Sequence, residues 1–252
     1  MEVLNTPLAP SGDFYVEIKF RVKPWASPPV PNALTGKQED NLIADIASYE
    51  RWYDGLDDST ITGTGTVSAW TDRTANEKNG VVPGNENAPG RVPGGVHFTD
   101  TNEEALYIPF LPESCTVFLA VDVDPVQVNG RFSFLGSYIL PVFLPFAQDS
   151  SSNTAVYESV GTPQMEINGV AQDPGDRDEM HALFAGQGPL IVKFTNVVGV
   201  NQDGDAGIDR LGRGRTTSYY HGTIMGMIVI ETAQSSQALE QRVLDGMISR
   251  YL

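Results

Sequence analysis

Three groups of residues have the types and spacing to do chemistry. The first is Asp122-x-Asp124, two carboxylates at alternating positions. A retaining glycosidase needs two carboxyls about 5 to 5.5 Å apart, one as nucleophile and one as acid. Here Pro125-Val126 follows and no third carboxylate stands nearby, so the pair reads as the end of a strand. The second group is the run Asn201 to Asp209, in which Asp203, Asp205 and Asp209 offer oxygen ligands of the kind a hard cation such as calcium prefers. Ala206 stands where an EF-hand has its turn glycine and no glutamate occupies the twelfth position, which favours a solvated turn over a metal site. The third group is Arg210, Arg213 and Arg215 followed by Tyr219, Tyr220 and His221. Guanidinium forks pair with carboxylate or phosphate, and aromatic rings stack on the C–H faces of sugars. Arg213, Arg215, Tyr219, Tyr220 and His221 are therefore the candidate carbohydrate-binding residues. The plainer alternative is an exposed hairpin whose arginines answer Asp205 and Asp209, with at least one tyrosine in the core. A Gly-x-Ser-x-Gly elbow, a His-Glu-x-x-His pair and a Walker loop are all missing. His97, between Val96 and Phe98 in an alternating run, should face solvent or the second face of a sheet and is assigned no function. Nothing in the sequence points to a catalytic residue, and no cofactor is expected beyond a possible calcium.

The elements that must position these groups are mostly short strands. Phe14 to Val22 alternates Phe14, Val16, Ile18, Phe20 and Val22 with Tyr15, Glu17, Lys19 and Arg21, the two-residue period of a half-buried strand. Pro24, Pro28, Pro29 and Pro31 then remove backbone donors and make Lys23 to Leu34 an extended arm. The organisation expected is thus an arm over 1–34 and one main domain over 35–252. Gln38 to Tyr53 reads as a short helix leading into a strand. From residue 55 onward Gly, Pro, Asn and Asp punctuate short apolar runs. Thr116 to Val123 places Val117, Leu119, Val121 and Val123 on one face and Phe118 and Ala120 on the other, as a central strand would. Asn129-Gly130 and Asn168-Gly169 suit type I′ turns, and each is expected to close a hairpin. Ile224 to Ile230 is apolar on both faces, with Ile224, Gly226, Ile228 and Ile230 against Met225, Met227 and Val229, as in a strand buried between layers. A helix capped by Ser235 or Ser236 follows, with Leu239, Val243 and Met247 forming its apolar stripe and Leu244, Ile248 and Tyr251 widening it.

Composition narrows the partners. The 252 residues carry 32 acidic against 16 basic side chains, a formal charge of -16. Such a field repels phosphate backbones and anionic lipid, so nucleic acid and membrane surfaces are poor partners. Phe132 to Gln148 is the longest uncharged stretch, but it is shorter than the roughly 20 residues of a spanning helix and carries Pro141 and Pro145. It reads as buried strand and loop. The one cysteine, Cys115, cannot close an intrachain disulfide, and with three scattered histidines it makes no zinc motif. Met1 to Asp13 has neither the basic nor the apolar region of a secretion signal, so synthesis and folding in a cytoplasm are expected.

Several weak motifs in a fixed order then resemble a known family. Trp52-Tyr53-Asp54-Gly55-Leu56-Asp57-Asp58-Ser59-Thr60-Ile61, Val67-Ser68-Ala69-Trp70-Thr71-Asp72, Gly94-Gly95-Val96-His97-Phe98 and Leu106-Tyr107-Ile108 resemble the opening of concanavalin A-like, laminin-G-like jelly rolls common in phage virion proteins. Leu211-Gly212-Arg213-Gly214 through Tyr220-His221-Gly222-Thr223-Ile224, with the strand and helix to Leu252, resemble the end of the same domain. The resemblance covers about residues 43 to 252. It departs from the pattern in the strand and proline arm before residue 35, and in Met225-Gly226-Met227 where an acidic residue is usual. It implies an all-β jelly-roll sandwich with a short C-terminal helix, in which Trp70 and Asp72 are structural. It also implies a virion structural protein, a head spike, fibre or tail component, which would bind other virion proteins through its N-terminal segment, display the sandwich towards host surface polysaccharide, and be oligomeric in the assembly. A purely architectural role, or a glycan-active enzyme or secreted lectin of the same fold, are the alternatives.

Overall fold

The structure, a computed structural model, describes residues 42–84, 86–99, 103–126, 130–137, 141–157, 160–200, 207–214 and 218–252. All of these belong to the second of the two units into which the chain divides, Gly36–Leu252. The expected strand at Phe14 to Val22 and the arm at Lys23 to Leu34 lie outside the described residues, as do Asp203, Asp205 and Arg215.

In chain order the strands are β1 (Arg51–Asp54), β2 (Ile61–Thr62), β3 (Ala69–Trp70), β4 (Gly80–Val81), β5 (Gly90–Val92), β6 (Gly95–Phe98), β7 (Leu106–Tyr107), β8 (Cys115–Val123) and β9 (Arg131–Phe132). They continue with β10 (Leu135–Gly136), β11 (Phe143–Leu144), β12 (Ala147–Gln148), β13 (Gly161–Ile167), β14 (Val170–Gln172), β15 (Pro189–Val197), β16 (Arg210–Leu211) and β17 (Gly222–Glu231). Among the described residues there are also the α-helices α1 (Arg177–Ala182) and α2 (Gln237–Tyr251), and a helical turn at 42–44 and a 3₁₀ turn at Ile46–Ser48 that lead into β1.

The protein is an all-β sandwich of antiparallel sheets. One sheet runs β14-β13-β15-β8-β17-β6-β5, with β1 also on β17, and the other runs β11-β10-β16-β7-β4-β3-β2. The first sheet holds the long strands β8, β13, β15 and β17, of seven to ten residues each. The second consists of two-residue strands, because Gly, Pro and Asn break its apolar runs every few residues. The main core lies between them. It takes Val117, Leu119, Val121 and Val123 from one side and Trp70, Leu106, Leu135, Leu144 and Leu211 from the other. Phe132 to Gln148 contributes buried strand and loop, as its composition demands.

The alternation of β8 is realised in full. Phe118 and Ala120 point to the opposite face, where they meet Leu239, Val243, Leu244, Met247 and Tyr251 of α2. Ser236 caps this helix, its Oγ accepting from the Leu239 amide at 3.2 Å. Arg242 ties the helix to the turn before β1 through two bonds of 2.9 Å to Asp45. The first sheet is thus buried on both faces over the part that the helix covers, which explains a strand as apolar as β17.

One expectation is corrected and one is met. The faces of β17 do not alternate strictly: a bulge between Ile224 and Gly226 against β8 shifts the parity. Ile224 therefore shares the sandwich core with Met227 and Val229, while Ile228 and Ile230 face the helix. Asn168-Gly169 closes the β13–β14 hairpin with φ of 50° and 81°, as a type I′ turn requires. The hairpin expected at Asn129-Gly130 falls partly outside the described residues, since Asn129 and the two residues before it are among those not described. Of the described strands on either side, β8 pairs with β15 and β17, and β9 pairs with β12.

Candidate functional site

Two groups of charged residues on the first sheet and one on the second were open to a functional reading, and their geometry separates them. The arginine–tyrosine group predicted to bind sugar is largely internal. Arg210 Nε and Arg213 Nη1 both donate to Glu86 Oε1, at 3.1 and 3.0 Å, and the Glu86 carboxylate is itself fully buried. The Arg213 guanidinium lies 4.7 Å over the Tyr219 ring, with both residues buried. Tyr220 is 0% exposed and packs at 5.3 Å from Phe134 and 6.0 Å from Phe98. Neither tyrosine presents a ring face to solvent, so the sugar platform at Arg213, Tyr219 and Tyr220 is corrected to core structure. Of the plainer reading, the tyrosine in the core and the arginine pairing with Asp209 are met, but Arg210 and Arg213 are buried rather than exposed. The cause is a buried carboxylate supplied by Glu86, far away in sequence, which draws the guanidinium groups inward. Of the expected calcium ligands, Asp209 is buried and its Oδ2 pairs with Arg210 Nη1 at 2.8 Å.

Trp70 and Asp72 are structural. Trp70 is fully buried. Asp72 accepts from the amides of Trp52, Thr74 and Lys78 at 2.9, 2.9 and 3.0 Å, and so anchors a loop to β1.

A second carboxylate, Asp54 at the end of β1, is fully buried on the helix-facing side. Arg250 reaches it at 2.7 and 3.1 Å, the Tyr251 hydroxyl donates to it at 2.9 Å, and Arg73 Nη1 also bonds it. Every acceptor direction is taken up by the fold. A shallow polar groove at the start of α2 is lined by Thr116, Gln164, Thr195 and Glu240, and there Glu240 is held by Thr116 and Lys193 at 3.0 and 3.4 Å.

The remaining group differs from these. His97 of β6, Thr223 of β17 and Asp122 of β8 form one cross-strand row. The next rung adds His221 and Asp124, joined through the Asp124 amide to the His221 carbonyl at 3.1 Å. Since Val121 and Val123 point into the sandwich core, as do Val96 and Phe98, the alternation of the strands sends all these side chains off the other face. Gly222, at φ 146°, lets β17 come close to β8: a Cβ there would sit 2.3 Å from the Asp122 carbonyl. Below the row, the Tyr220 hydroxyl lies 2.9 and 3.0 Å from the carbonyls of Asp122 and Thr223 and fixes the strand ends. His221 Nε2 lies 3.1 Å from Asp124 Oδ2, His97 Nδ1 lies 3.2 Å from Thr223 Oγ1, and the two imidazole centroids are 5.8 Å apart. Burial, followed by the charge of Asp124, raises the Asp122 carboxyl above its ordinary range, with His97 pulling it down.

The sequence reading named His221 in a different role and left His97 without one. Nothing local could have found the group, since His97 and Thr223 are 126 positions apart. The one available signal was numerical: the chain has three histidines, and two of them meet here. No family model, curated protein or solved structure matches this chain.

Proposed function

We propose that the protein is a virion structural protein, a head spike, fibre or tail component, in which the jelly-roll sandwich is a rigid module and residues 1–34 join it to other virion proteins. The observation that carries this reading is the closure of the sandwich around β1. This strand pairs with β17, the last strand of the same sheet, and α2 seals both against the turn at Asp45. Among the described residues, the sheets are built from strands that begin at Arg51. An alternating strand and a proline arm placed ahead of such a unit are suited to adding an edge to a neighbouring sheet. The buried charges among the described residues support the same reading, since those at Asp54, Asp72 and Glu86 are committed to holding the fold.

The architectural form of this function is favoured over glycan attachment, because Arg213, Tyr219 and Tyr220 are buried. Deletion of residues 1–34 tests the proposal. The shortened chain should remain soluble and β-rich but fail to enter purified particles, in which the full chain is detected by mass spectrometry. A truncated chain that unfolds would make Phe14 to Val22 part of the sandwich, and particles lacking the full chain would remove the virion assignment altogether.

A further inference from the structure

We propose that His97, Asp124 and His221 form a binding site for a divalent transition-metal ion of the zinc class, on the open end of the first sheet. One nitrogen or oxygen from each of the three residues falls in a group whose members all lie within 4.8 Å of one another. Two atoms bound to one such ion at about 2.1 Å lie at most about 4.2 Å apart, so a small side-chain rotation closes the set. His221 Nε2 and Asp124 Oδ2, at 3.1 Å, already have the spacing of adjacent ligands.

The donor types select the ion. Two imidazoles and one carboxylate suit zinc, iron, nickel or copper, whereas calcium and magnesium take oxygen ligands almost throughout. This site is therefore chemically distinct from the all-oxygen run at Asp203, Asp205 and Asp209, whose ligand types would suit calcium. Three protein ligands leave at least one position for water or an outside group. A Nδ1–H on His97 donating to Thr223 Oγ1 would orient the ring and leave its Nε2 lone pair for the metal, as the partners of metal-bound histidines do. Asp124 directly follows β8 and His221 directly precedes β17, two strands whose ends the Tyr220 hydroxyl meets, and His97 lies on β6, paired with β17. All three are half-buried, open enough for an ion to enter, and Asp122 adds a further acidic group alongside. A chain of net charge -16 also raises the local cation concentration.

Calorimetric titration of the full-length chain with Zn²⁺ at neutral pH should reveal one site with Kd of about 10 µM or tighter. Co²⁺ should give a visible spectrum without a thiolate band, since Cys115 is buried elsewhere. His97→Ala and His221→Ala should each weaken binding by about tenfold or more. Asp122→Asn should change it by less than about threefold, as expected for a nearby charge that is not a ligand. Should a variant fail to fold, the wild-type chain still decides the matter: of its three histidine ring signals by NMR, Zn²⁺ should shift those of His97 and His221 and leave His181 in place. Absence of saturable Zn²⁺ and Co²⁺ binding, wild-type affinity in the folded double variant His97→Ala/His221→Ala, or a shift of His181 alone would each overturn the assignment.

Discussion

Two carboxylate clusters occupy the same face of the same sheet, a few residues apart along β17, and they have opposite characters. Asp54 sits opposite Gly226, under the end of α2, where Arg250, Arg73 and Tyr251 saturate it. Asp122 and Asp124 sit with His97 and His221 around Thr223, beyond the part of the face that α2 packs against. The helix accounts for the difference. Where it covers the sheet, a charge survives only if the fold supplies partners for it, and the cluster becomes structural. Where it does not, the side chains stay half-exposed, and it is there that the proposed metal site lies.

Four measurements can break or sharpen this contrast. The largest effect should come from Asp54→Ala, which leaves the buried Arg250 guanidinium without its carboxylate. Denaturant unfolding should show a loss of about 3 to 5 kcal/mol, and a loss below about 1 kcal/mol would show that the covered cluster is not structural. Next is Gly226→Ala. An added Cβ would stand 2.4 Å from the Tyr251 hydroxyl, so Tyr251 must leave Asp54 or the strand must shift, at about 1 to 3 kcal/mol. Ser236→Ala removes the helix cap and should cost about 1 kcal/mol, with hydrogen exchange accelerating first in the opening turn of α2.

The smallest effect, and the one of opposite sign, belongs to the open cluster. Folding raises the Asp122 pKa, chiefly by burial. The ionised form is therefore disfavoured in the folded state, a cost that is complete above the folded-state pKa and gone below the ordinary carboxylate value. Asp122→Asn, measured with chelator present, should stabilise the protein at pH 7 by at most about 0.5 kcal/mol after solvent screening. The difference should vanish by about pH 3. Destabilisation at pH 7 would mean that Asp122 is held by favourable partners, and the contrast with Asp54 would weaken.

Much of the scaffold was legible because its signals are local. The alternation in Thr116 to Val123 assigns each side chain to its face, the Asn168-Gly169 pair names its own turn, and the stripe from Leu239 to Tyr251 defines the helix that seals the sheet. The helix α1 was also readable in principle: Asp176 accepts from the Glu179 amide and Glu179 reaches back to the Gly175 amide, a local capping arrangement. The parity of β17 was not legible, because a bulge depends on how a strand fits its neighbour.

By itself the sequence determined an acidic all-β chain with a double-faced central strand and a C-terminal helix, since strand period, turn residues and helix stripe are properties of adjacent residues. Only the tertiary structure decided which polar residues are structural and which are available. Arg210 and Arg213 look exposed in a glycine-rich run, yet the buried Glu86 carboxylate draws them inward. His97 looks incidental, yet strand pairing sets it beside residues more than a hundred positions away. The physical reason is the same in both cases: in a sandwich the neighbours of a side chain are chosen by register between distant strands, and a desolvated charge takes its partner from whatever that register brings near.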